Sequence, residues 1–239
     1  MTGPRKGRFP SALDLYGPDG PPAGGPRWSR HVGRFGARVV WDTRVTGAHH
    51  VPAAGPVILA ANHTGVVDGP LLLGVAPRPL HILVKDEMFH GFVGSVLHRA
   101  GQIPVDRTSG RAALGSALAV LRRGDAVGVF PEGGRGRGDA SSGRAGVVWL
   151  ALAAGAPVVP VAILGTRRTG ESTSRLPGPR RRIEVEIGEP LVLERAPGTT
   201  GRQALVDANE TVRAALAGLV TRASARTGID LPDDVRHPG

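Results

Sequence analysis

The feature that most constrains the fold is an alternation of short apolar runs with longer amphipathic ones. Seven runs have the length and composition of buried strands, and they cover residues 44–46, 57–61, 82–84, 103–105, 127–130, 158–164 and 183–187. Helical patterns lie between and after them, at residues 92–99, 111–123, 143–154 and 202–227. Strands that alternate with helices predict an α/β fold, in which helices flank a largely parallel central sheet.

The length of 239 residues fits one large domain with a full core, and we favour this over two small domains. Residues 1–26 are rich in glycine and proline, so we expect a disordered tail there. The folded domain then spans residues 27–227, and residues 228–239 form a C-terminal tail. The last helix carries one apolar face that we expect to be buried, made of Leu205, Ala208, Val212, Leu216 and Leu219.

Residues 147–164 form a segment that could be mistaken for a membrane span. They carry no charge over about 18 residues, which is the lower limit for crossing a bilayer. Pro157 and Pro160 argue against a continuous helix. A helix that ends near Gly155, followed by a buried strand, explains the same residues. Any membrane contact is therefore expected to be peripheral.

The large positive net charge is weak evidence about function. The formal net charge is +10, and Lys6 and Lys85 are the only lysines, so arginine supplies nearly all the positive charge. A positive surface attracts anionic lipid, nucleic acid and phosphorylated substrates alike. Aromatic residues make up 4% and do not alternate with arginine, so we expect no nucleic-acid partner. The absence of cysteine excludes disulfides, thiolate metal sites and cysteine nucleophiles.

Residues 27–41 combine basic and apolar side chains at helical spacing. Arg27, Arg30, Arg34 and Arg38 recur every three or four positions, so a helix would show a basic stripe beside an apolar one. That composition suits a helix lying on an anionic bilayer surface. A terminal helix packed on the domain with exposed arginines explains the pattern equally well.

The candidate chemistry begins directly after the apolar run 57–61, where His63 and Asp68 lie five positions apart. On an uninterrupted helix the two side chains would be roughly 140° apart and could not touch. They meet only if His63 lies in a turn and Asp68 in the first helical turn, with Gly65 allowing the bend. Asp68 would then hold one imidazole nitrogen and leave the other as a general base. The alternative is a surface loop in which Asn62 and Asp68 cap the chain.

Two further segments place charge at the ends of predicted strands. Residues 101–107 end in an acidic residue and Arg107, and a glycine-rich loop at residues 130–138 carries Arg135 and Arg137. Such a loop lets main-chain N–H groups approach an anion, so Arg107 and Arg135 could together bind one phosphate. Taken singly, these arginines are equally explained as solvated surface charge.

Several common chemistries are excluded by the absence of their motifs. The sequence contains no P-loop, no dinucleotide-binding glycine spacing and no nucleophile elbow. The remaining histidines show no paired metal-ligand spacing, so we predict no metal site. The arginine-rich loop at residues 167–182 is expected to carry solvated charge, although it could touch lipid headgroups.

Taken in order, these segments resemble the glycerophospholipid acyltransferase family, typified by 1-acylglycerol-3-phosphate acyltransferase. The matching blocks span about residues 44–188, and four ordered blocks are far more specific than one motif. They are Asn62, His63 and Asp68; Gly101, Ile103 and Arg107; Phe130 through Arg135; and Val159, Pro160 and Val161, with Lys85 and Glu87 matching a Lys-x-Glu pair between the first two. The chain departs from the family at Gly65, often a serine, and at Gly134, often a threonine or serine.

The resemblance implies transfer of a fatty acyl group from acyl-CoA or acyl carrier protein to the free hydroxyl of lysophosphatidic acid, in phospholipid synthesis. It implies that His63 and Asp68 are catalytic, with the donor as co-substrate and no other cofactor. Because a thioester is already activated, no covalent nucleophile is needed. Main-chain N–H groups near Gly65 would stabilise the oxyanion.

The resemblance also implies how the acceptor is held and where the protein acts. The acceptor's phosphate and glycerol end would be held by Arg107, Glu132, Gly133 and Arg135. Of these, we expect Glu132 to order the arginines rather than to touch phosphate. The expected partners are the lysophospholipid, the acyl donor and an anionic membrane surface, for a cytoplasmic protein peripheral on the inner face of the membrane.

Two kinds of alternative stay open. The same chemistry could use another acceptor, such as glycerol 3-phosphate, another lysophospholipid, a glycolipid or an acylated amino acid. A non-catalytic membrane-surface binding protein would instead rely on the segment 27–41 and on the loop arginines, which are Arg167, Arg168, Arg175, Arg180, Arg181 and Arg182.

Overall fold

The predicted α/β fold with a largely parallel sheet is confirmed by the computed structural model. The structure describes residues 10–106, 110–135, 137–140, 146–195 and 197–234. Within them the strands are β1 (Asp42–Thr46), β2 (Val57–Ala61), β3 (Leu80–Lys85), β4 (Ile103–Val105), β5 (Ala126–Val129), β6 (Val158–Leu164) and β7 (Arg182–Ile187). They form one sheet in the order β1-β7-β6-β2-β5-β3-β4. Only the β6–β7 pair in this sheet is antiparallel.

Helices cover both faces of the sheet. They are α1 (Ala12–Tyr16), α2 (Gly25–Phe35), α3 (Asp68–Val75), α4 (Gly91–Arg99), α5 (Arg111–Arg122), α6 (Gly146–Ala154) and α7 (Gly201–Thr227). A π-helical turn, Gly36–Val40, follows α2 directly. One core packs α1, α5, α6 and the first half of α7 on one face of the sheet. A second core packs α3 and the π-helical turn on the other face.

The two strands β2 and β6, at the centre of the sheet, contain no charged residues because both of their faces are buried. Every residue of β2 and of β6 is buried. Parallel strands covered on both faces need apolar side chains at every position, not at alternate ones. The interpretation of residues 147–164 as a helix followed by a buried strand is confirmed. Among the described residues, none of the helices has both the length and the apolar character needed to cross a bilayer.

The expected buried face of α7 is also confirmed. Val212, Leu216 and Leu219 are each 3% exposed or less, Ala208 is 8% exposed, and Leu205 packs partly buried against the same core. The second half of this face meets Ala162 and Leu164 of β6 in a third apolar cluster. The longest helix of the described chain thus anchors the antiparallel side of the sheet.

The predicted N-terminal tail is wrong for residues 10–26, and residues 1–9 lie outside the described residues. Ser11 and Asp14 form a capping box that starts α1, in which the Ser11 N–H donates to Asp14 at 2.8 Å. Ala12 is 0% exposed in the core, and the Tyr16 hydroxyl donates to the Gln102 carbonyl at 2.9 Å. Burial and tertiary hydrogen bonds therefore order a segment whose composition suggested disorder.

The predicted C-terminal tail is likewise wrong for residues 228–234. Ile229 and Leu231 pack against the third apolar cluster, beside Ala140. The Asp233 N–H donates to the Thr169 hydroxyl at 3.2 Å. Residues 235–239 lie outside the described part of the chain.

The interpretation of residues 27–41 as a helix packed on the domain is confirmed, whereas contact with an anionic bilayer stays a prediction. The helix α2 packs on α3 through small residues, because Gly33 and Gly74 lie where the two main chains touch. The opposite face remains apolar and exposed, with Trp28, Val32, Phe35 and Val39 between 41% and 64% exposed. The helix therefore packs on the domain through one face and exposes apolar side chains on the opposite face.

We expect Gly33→Ala to lower the free energy of unfolding by on the order of 1–3 kcal/mol. A Cβ on Gly33 would overlap the Pro70 carbonyl oxygen and the main chain of Gly74, neither of which can rotate away. Denaturant-induced unfolding measures the change. The matched control is Gly115→Ala in α5, where a Cβ meets nothing within 4 Å. Helix propensity predicts a small gain for that control, and equal effects of the two variants would contradict the prediction.

Candidate active site

The candidate site begins where β2 ends, at Asn62, whose side chain forms the two hydrogen bonds that the main chain of a strand residue would form. The Asn62 side-chain nitrogen donates to the Ile163 carbonyl at 3.1 Å, and the Ile163 N–H donates to Asn62 Oδ1 at 2.7 Å. Asn62 is 0% exposed, so its side-chain amide continues the pairing with β6 one residue beyond the end of β2. The role considered for Asn62 as a surface cap is therefore wrong.

His63 and Asp68 meet across the turn that follows. The His63 Nδ1 lies 2.8 Å from Asp68 Oδ2, and the two side chains are 15% and 0% exposed. Asp68 is the first residue of α3, as the spacing of five requires. With Nδ1–H donating to the carboxylate, Nε2 is the nitrogen free to take a proton.

The same carboxylate oxygen also closes the turn. Asp68 Oδ2 accepts from the Thr64 N–H at 2.7 Å and from the Gly65 N–H at 2.8 Å. A carboxylate at a helix N-terminus also gains from the helix dipole. The expectation that Gly65 supplies the bend is wrong, because its φ is not positive and a Cβ there would make only ordinary contacts. The bend is formed by hydrogen bonds to Asp68.

The loop after β5 lies beside this turn because β2 and β5 are parallel neighbours. Their carboxyl ends share one edge of the sheet, which is the usual position of a site in an α/β fold. The His63 ring stacks on Phe130 with centroids 4.2 Å apart and an angle of 23° between the rings. The His63 N–H donates to Glu132 Oε1 at 3.4 Å.

Glu132 links segments of main chain rather than ordering arginines. Burial raises its pKa from 4.5 to about 7; the N–H groups of His63 and Ala140 act in the opposite direction, and the charges of Asp139 and Asp68 add to the rise. Within the described residues it forms no ion pair with an arginine. The expectation that this glutamate orders arginines is therefore not met there.

The other four predicted anion-binding residues differ in where they lie. Gly133 lines the same cleft as His63. Burial lowers the pKa of the Arg135 guanidinium, and the charge of the Asp68 carboxylate opposes this. Arg135 is therefore close enough to the His63–Asp68 pair to interact with it electrostatically. Arg137 is exposed and lies 3.8 Å from Asp139. Arg107 lies outside the described residues.

An apolar cleft of about 290 Å³ opens at His63. It runs between β3, β4 and β5 and the helices α5 and α6, and its walls are mainly apolar: Leu83, Val105, Ala113, Leu114, Val129, Val147 and Leu150 line it, together with Lys85 and Asp106. Sequence reasoning missed this cleft, because the same side chains would serve equally well as ordinary core. Among the described residues no cluster of His, Asp or Glu is arranged to hold a metal ion.

A second set of contacts was also missed by the sequence. The hydroxyls of Thr64 and Thr166 lie 2.9 Å apart, both buried, so the turn rests on the loop after β6. The next residue, Arg167, is 3% exposed, and its Nη1 donates to Asp234 at 2.8 Å. The Gly170 N–H donates to the other oxygen of Asp234 at 3.1 Å. The C-terminal segment therefore braces the loop that supports the His63 turn.

The expectation of solvated charge in the loop 167–182 is wrong for two arginines. Arg167 is buried, as described, and Arg181 lies 2.7 Å from Glu171 with its side chain 11% exposed. The hydrogen bonds from Arg181 lower the pKa of Glu171 to about 2. These charges hold the loop together and are not available as a free membrane-binding patch.

Comparison with known proteins gives the family. A profile of the Acyltransferase family matches residues 42–164, which include the His63 turn and the loop after β5. The 1-acyl-sn-glycerol-3-phosphate acyltransferase of Bacillus subtilis is 32% identical over 151 residues, covering 62% of this chain and 73% of that protein. The enzyme of the same name from Borreliella burgdorferi is 35% identical over 127 residues, about half of each chain.

A solved structure supports the same fold. The crystal structure of the 1-acyl-sn-glycerophosphate acyltransferase from Thermotoga maritima superposes with a TM-score of 0.63 at 23% identity, covering 81% of this chain and 79% of that one. This likeness concerns the fold. The profile match, which spans half of the chain, shows that the chain belongs to the acyltransferase family.

Glu132→Gln should change how stability depends on pH. A carboxyl whose pKa is higher in the folded state stabilises that state fully below pH 4.5, and this contribution is lost as pH rises to about 7. The glutamine still accepts from the His63 N–H but does not ionise. The variant should therefore gain stability relative to the parent between these pH values, by at most about 3 kcal/mol. Urea unfolding at a series of pH values measures the difference, and a difference independent of pH would contradict the assignment.

Proposed function

We propose that this acyltransferase moves a fatty acyl group from a thioester donor, acyl-CoA or acyl carrier protein, to the free hydroxyl of lysophosphatidic acid. The observation that carries the proposal is the His63–Asp68 pair at the mouth of an apolar cleft, with Arg135 in electrostatic range. The relatives named 1-acyl-sn-glycerol-3-phosphate acyltransferase support it. The chain spans 73% of the first of them and about half of the second.

In the proposed reaction His63 acts as general base and then as general acid. Its Nε2 removes the proton of the acceptor hydroxyl as the oxygen attacks the thioester carbonyl. The new carbon–oxygen bond forms, the carbon–sulfur bond breaks, and the proton passes from His63 to the departing thiolate. Asp68 holds the ring through Nδ1 and stabilises the imidazolium form between these two transfers.

The oxyanion is stabilised by groups other than those near Gly65. The Thr64 and Gly65 N–H groups already donate to Asp68, and the Val66 N–H donates to the Thr173 carbonyl at 2.9 Å. An amide that donates to a carboxylate is a poor donor to a second anion. We assign this role instead to the Lys85 ammonium or to the main chain at Gly133 and Gly134, which line the cleft beside His63.

The two substrates would approach His63 from different sides. The apolar cleft between α5 and α6 accommodates the acyl chain, because its walls offer no charge beyond Lys85 and Asp106 near its mouth. The acceptor phosphate would lie at the glycine-rich loop, held by Arg135 and by the main chain at Gly133. Arg107 is assigned to the same phosphate on its sequence motif alone. Glu132 is assigned to positioning, since its partner is the His63 main chain.

We further propose that the protein works while bound peripherally to an anionic membrane surface. The exposed apolar face of α2 supports this, because Val32, Phe35 and Val39 are each more than 60% exposed. Phe92, at the start of α4, is 85% exposed. The two helices are adjacent, since the Trp28 indole donates to the Arg99 carbonyl at 3.2 Å. Amphipathic surface helices of this kind bury their apolar face at the headgroup boundary.

We expect His63→Ala to reduce turnover by roughly 10²-fold or more, the size of a lost general base. Asp68→Asn should also reduce it, because a neutral amide does not stabilise an imidazolium. Thiol release from acyl-CoA in the presence of lysophosphatidic acid measures the rate. His49→Ala, at an exposed histidine remote from the cleft lining, is the control. Unchanged thiol release by the His63 variant would refute the mechanism, and turnover only with other acceptors in a panel would reassign the acceptor.

Arg135→Ala should mainly raise the KM for the acceptor, because the guanidinium is assigned to the acceptor phosphate. Initial rates with lysophosphatidic acid and acyl-CoA varied in turn separate the two Michaelis constants. Arg137→Ala removes the same charge from the same loop, at an exposed side chain facing Asp139, and should change neither constant appreciably. A change confined to the donor constant in the Arg135 variant would contradict the assigned role.

A further inference from the structure

A second concavity, of about 380 Å³, lies beneath α2 and shares no lining residue with the apolar cleft. Its walls come from α2, the π-helical turn, the edge strand β1 and the end of α3. Three arginines of one stripe, Arg30, Arg34 and Arg38, face Thr43 and Val45 of β1 across it. We call it the arginine pocket. It lies beside the helix whose apolar face is exposed.

The charges of the arginine pocket are not neutralised within the protein. In the part of the chain that the structure describes, Arg30, Arg34 and Arg38 form no ion pair. Arg30 is held in place, because its Nε donates to the Ala76 carbonyl at 2.8 Å. Burial and the neighbouring charge of Arg34 lower the pKa of Arg30. Arg34 and Arg38 are exposed and Arg30 is half-buried. Like charges brought together without a counter-ion repel each other, so an anion bound among the three would be stabilised.

An unpartnered hydroxyl gives a second and independent indication of a ligand. The Thr43 Oγ1 is buried and has no hydrogen-bond partner among the described residues. A buried hydroxyl left without a partner costs free energy, which a ligand oxygen would recover. Thr43 shares its face of β1 with Val45, and both line the arginine pocket. The unsatisfied donor and the unpaired cations therefore belong to one concavity.

The backbone beside the pocket is irregular in a way that often accompanies function. The Trp41 N–H donates to the Gly36 carbonyl at 3.1 Å, an i to i+5 hydrogen bond that defines the π-helical turn. Such turns are rare in proteins, and those that occur are often found at functional sites. Ala37 and Arg38 of this turn line the pocket.

We propose that the arginine pocket binds the phosphate group of an anionic membrane lipid, as a site separate from the catalytic cleft. Guanidinium groups match phosphate oxygens with paired hydrogen bonds, and the Thr43 hydroxyl supplies one further donor. A lipid is favoured over free phosphate because the same helix exposes Val32, Phe35 and Val39, whose apolar side chains suit the acyl region beside a headgroup. The site requires neither the acyl-transfer mechanism nor the assigned acceptor.

The sharpest test is Thr43→Val, which keeps the shape and the charge of the pocket and removes only the hydroxyl. Sedimentation of the full chain with vesicles of phosphatidylcholine mixed with phosphatidylglycerol measures the affinity, and phosphatidylcholine vesicles give the background. We expect about tenfold weaker binding, the loss of one hydrogen bond to a charged group. Thermal unfolding should show unchanged or higher stability, because the variant removes an unpaired buried polar atom. Unchanged vesicle affinity would overturn the proposal.

A matched pair of charge variants separates a built site from diffuse attraction. The double variant Arg34→Gln with Arg38→Gln removes two charges from the pocket. Arg27→Gln with Arg99→Gln removes two exposed charges from α2 and α4, outside the pocket. We expect the pocket pair to weaken vesicle binding at least about fivefold more than the control pair, since each arginine near a membrane otherwise contributes similarly. Equal losses would show diffuse surface charge and refute the site.

A further arm identifies the source of the phosphate. Inorganic phosphate is titrated against the parent protein by calorimetry without vesicles and as a competitor in the vesicle assay. Competition that is lost in the Thr43 variant supports the lipid site. Binding of inorganic phosphate with no preference for phosphatidylglycerol vesicles would overturn the lipid assignment. His63→Ala should retain vesicle binding, so failure of the pocket and failure of the proposed reaction are distinguishable.

Discussion

The candidate active site depends on one carboxylate oxygen. Asp68 Oδ2 accepts from the His63 ring and from the N–H groups of Thr64 and Gly65, at 2.7 to 2.8 Å. That single atom orients the imidazole, closes the turn after β2 and begins α3. The other oxygen, Oδ1, is buried without a partner among the described residues. Burial of Oδ1 without a partner is unfavourable, and the three charge-assisted hydrogen bonds to Oδ2 offset this cost.

The turn is held by three segments that are distant in sequence, so its geometry depends on how the strands of the sheet are arranged. Asn62 binds β6, Thr64 binds the loop after β6, and the His63 N–H reaches the loop after β5. The loop after β6 is itself braced by Arg167 and Asp234, across 67 positions. Positioning of this kind from rigid elements keeps catalytic groups within hydrogen-bond reach of a substrate.

The parts of the structure that sequence predicts are those governed by local pattern. The strands appear as continuous apolar runs, because central parallel strands are buried on both faces. The spacing of His63 and Asp68 allows only a turn followed by a helix. Helix α1 was not predicted although Ser11 and Asp14 have capping-box spacing, because proline and glycine dominate the segment. The buried role of Arg167 depends on a carboxylate from the C-terminal segment, and no local pattern indicates such a partner.

The hydrogen bonds of the main-chain N–H groups indicate that the loops after β2 and after β5 have different roles in the site. Those of Thr64 and Gly65 donate to Asp68. In the proposed mechanism the turn after β2 therefore supplies the base, and these two amides are not available to an oxyanion. That mechanism then needs another segment to stabilise the oxyanion, and the loop after β5 lies beside His63. The register that pairs Ala60 with Val129 brings both loops to the same edge at the same height. The pairing of β2 with β5 thus places His63 and the loop after β5 together at one edge of the sheet.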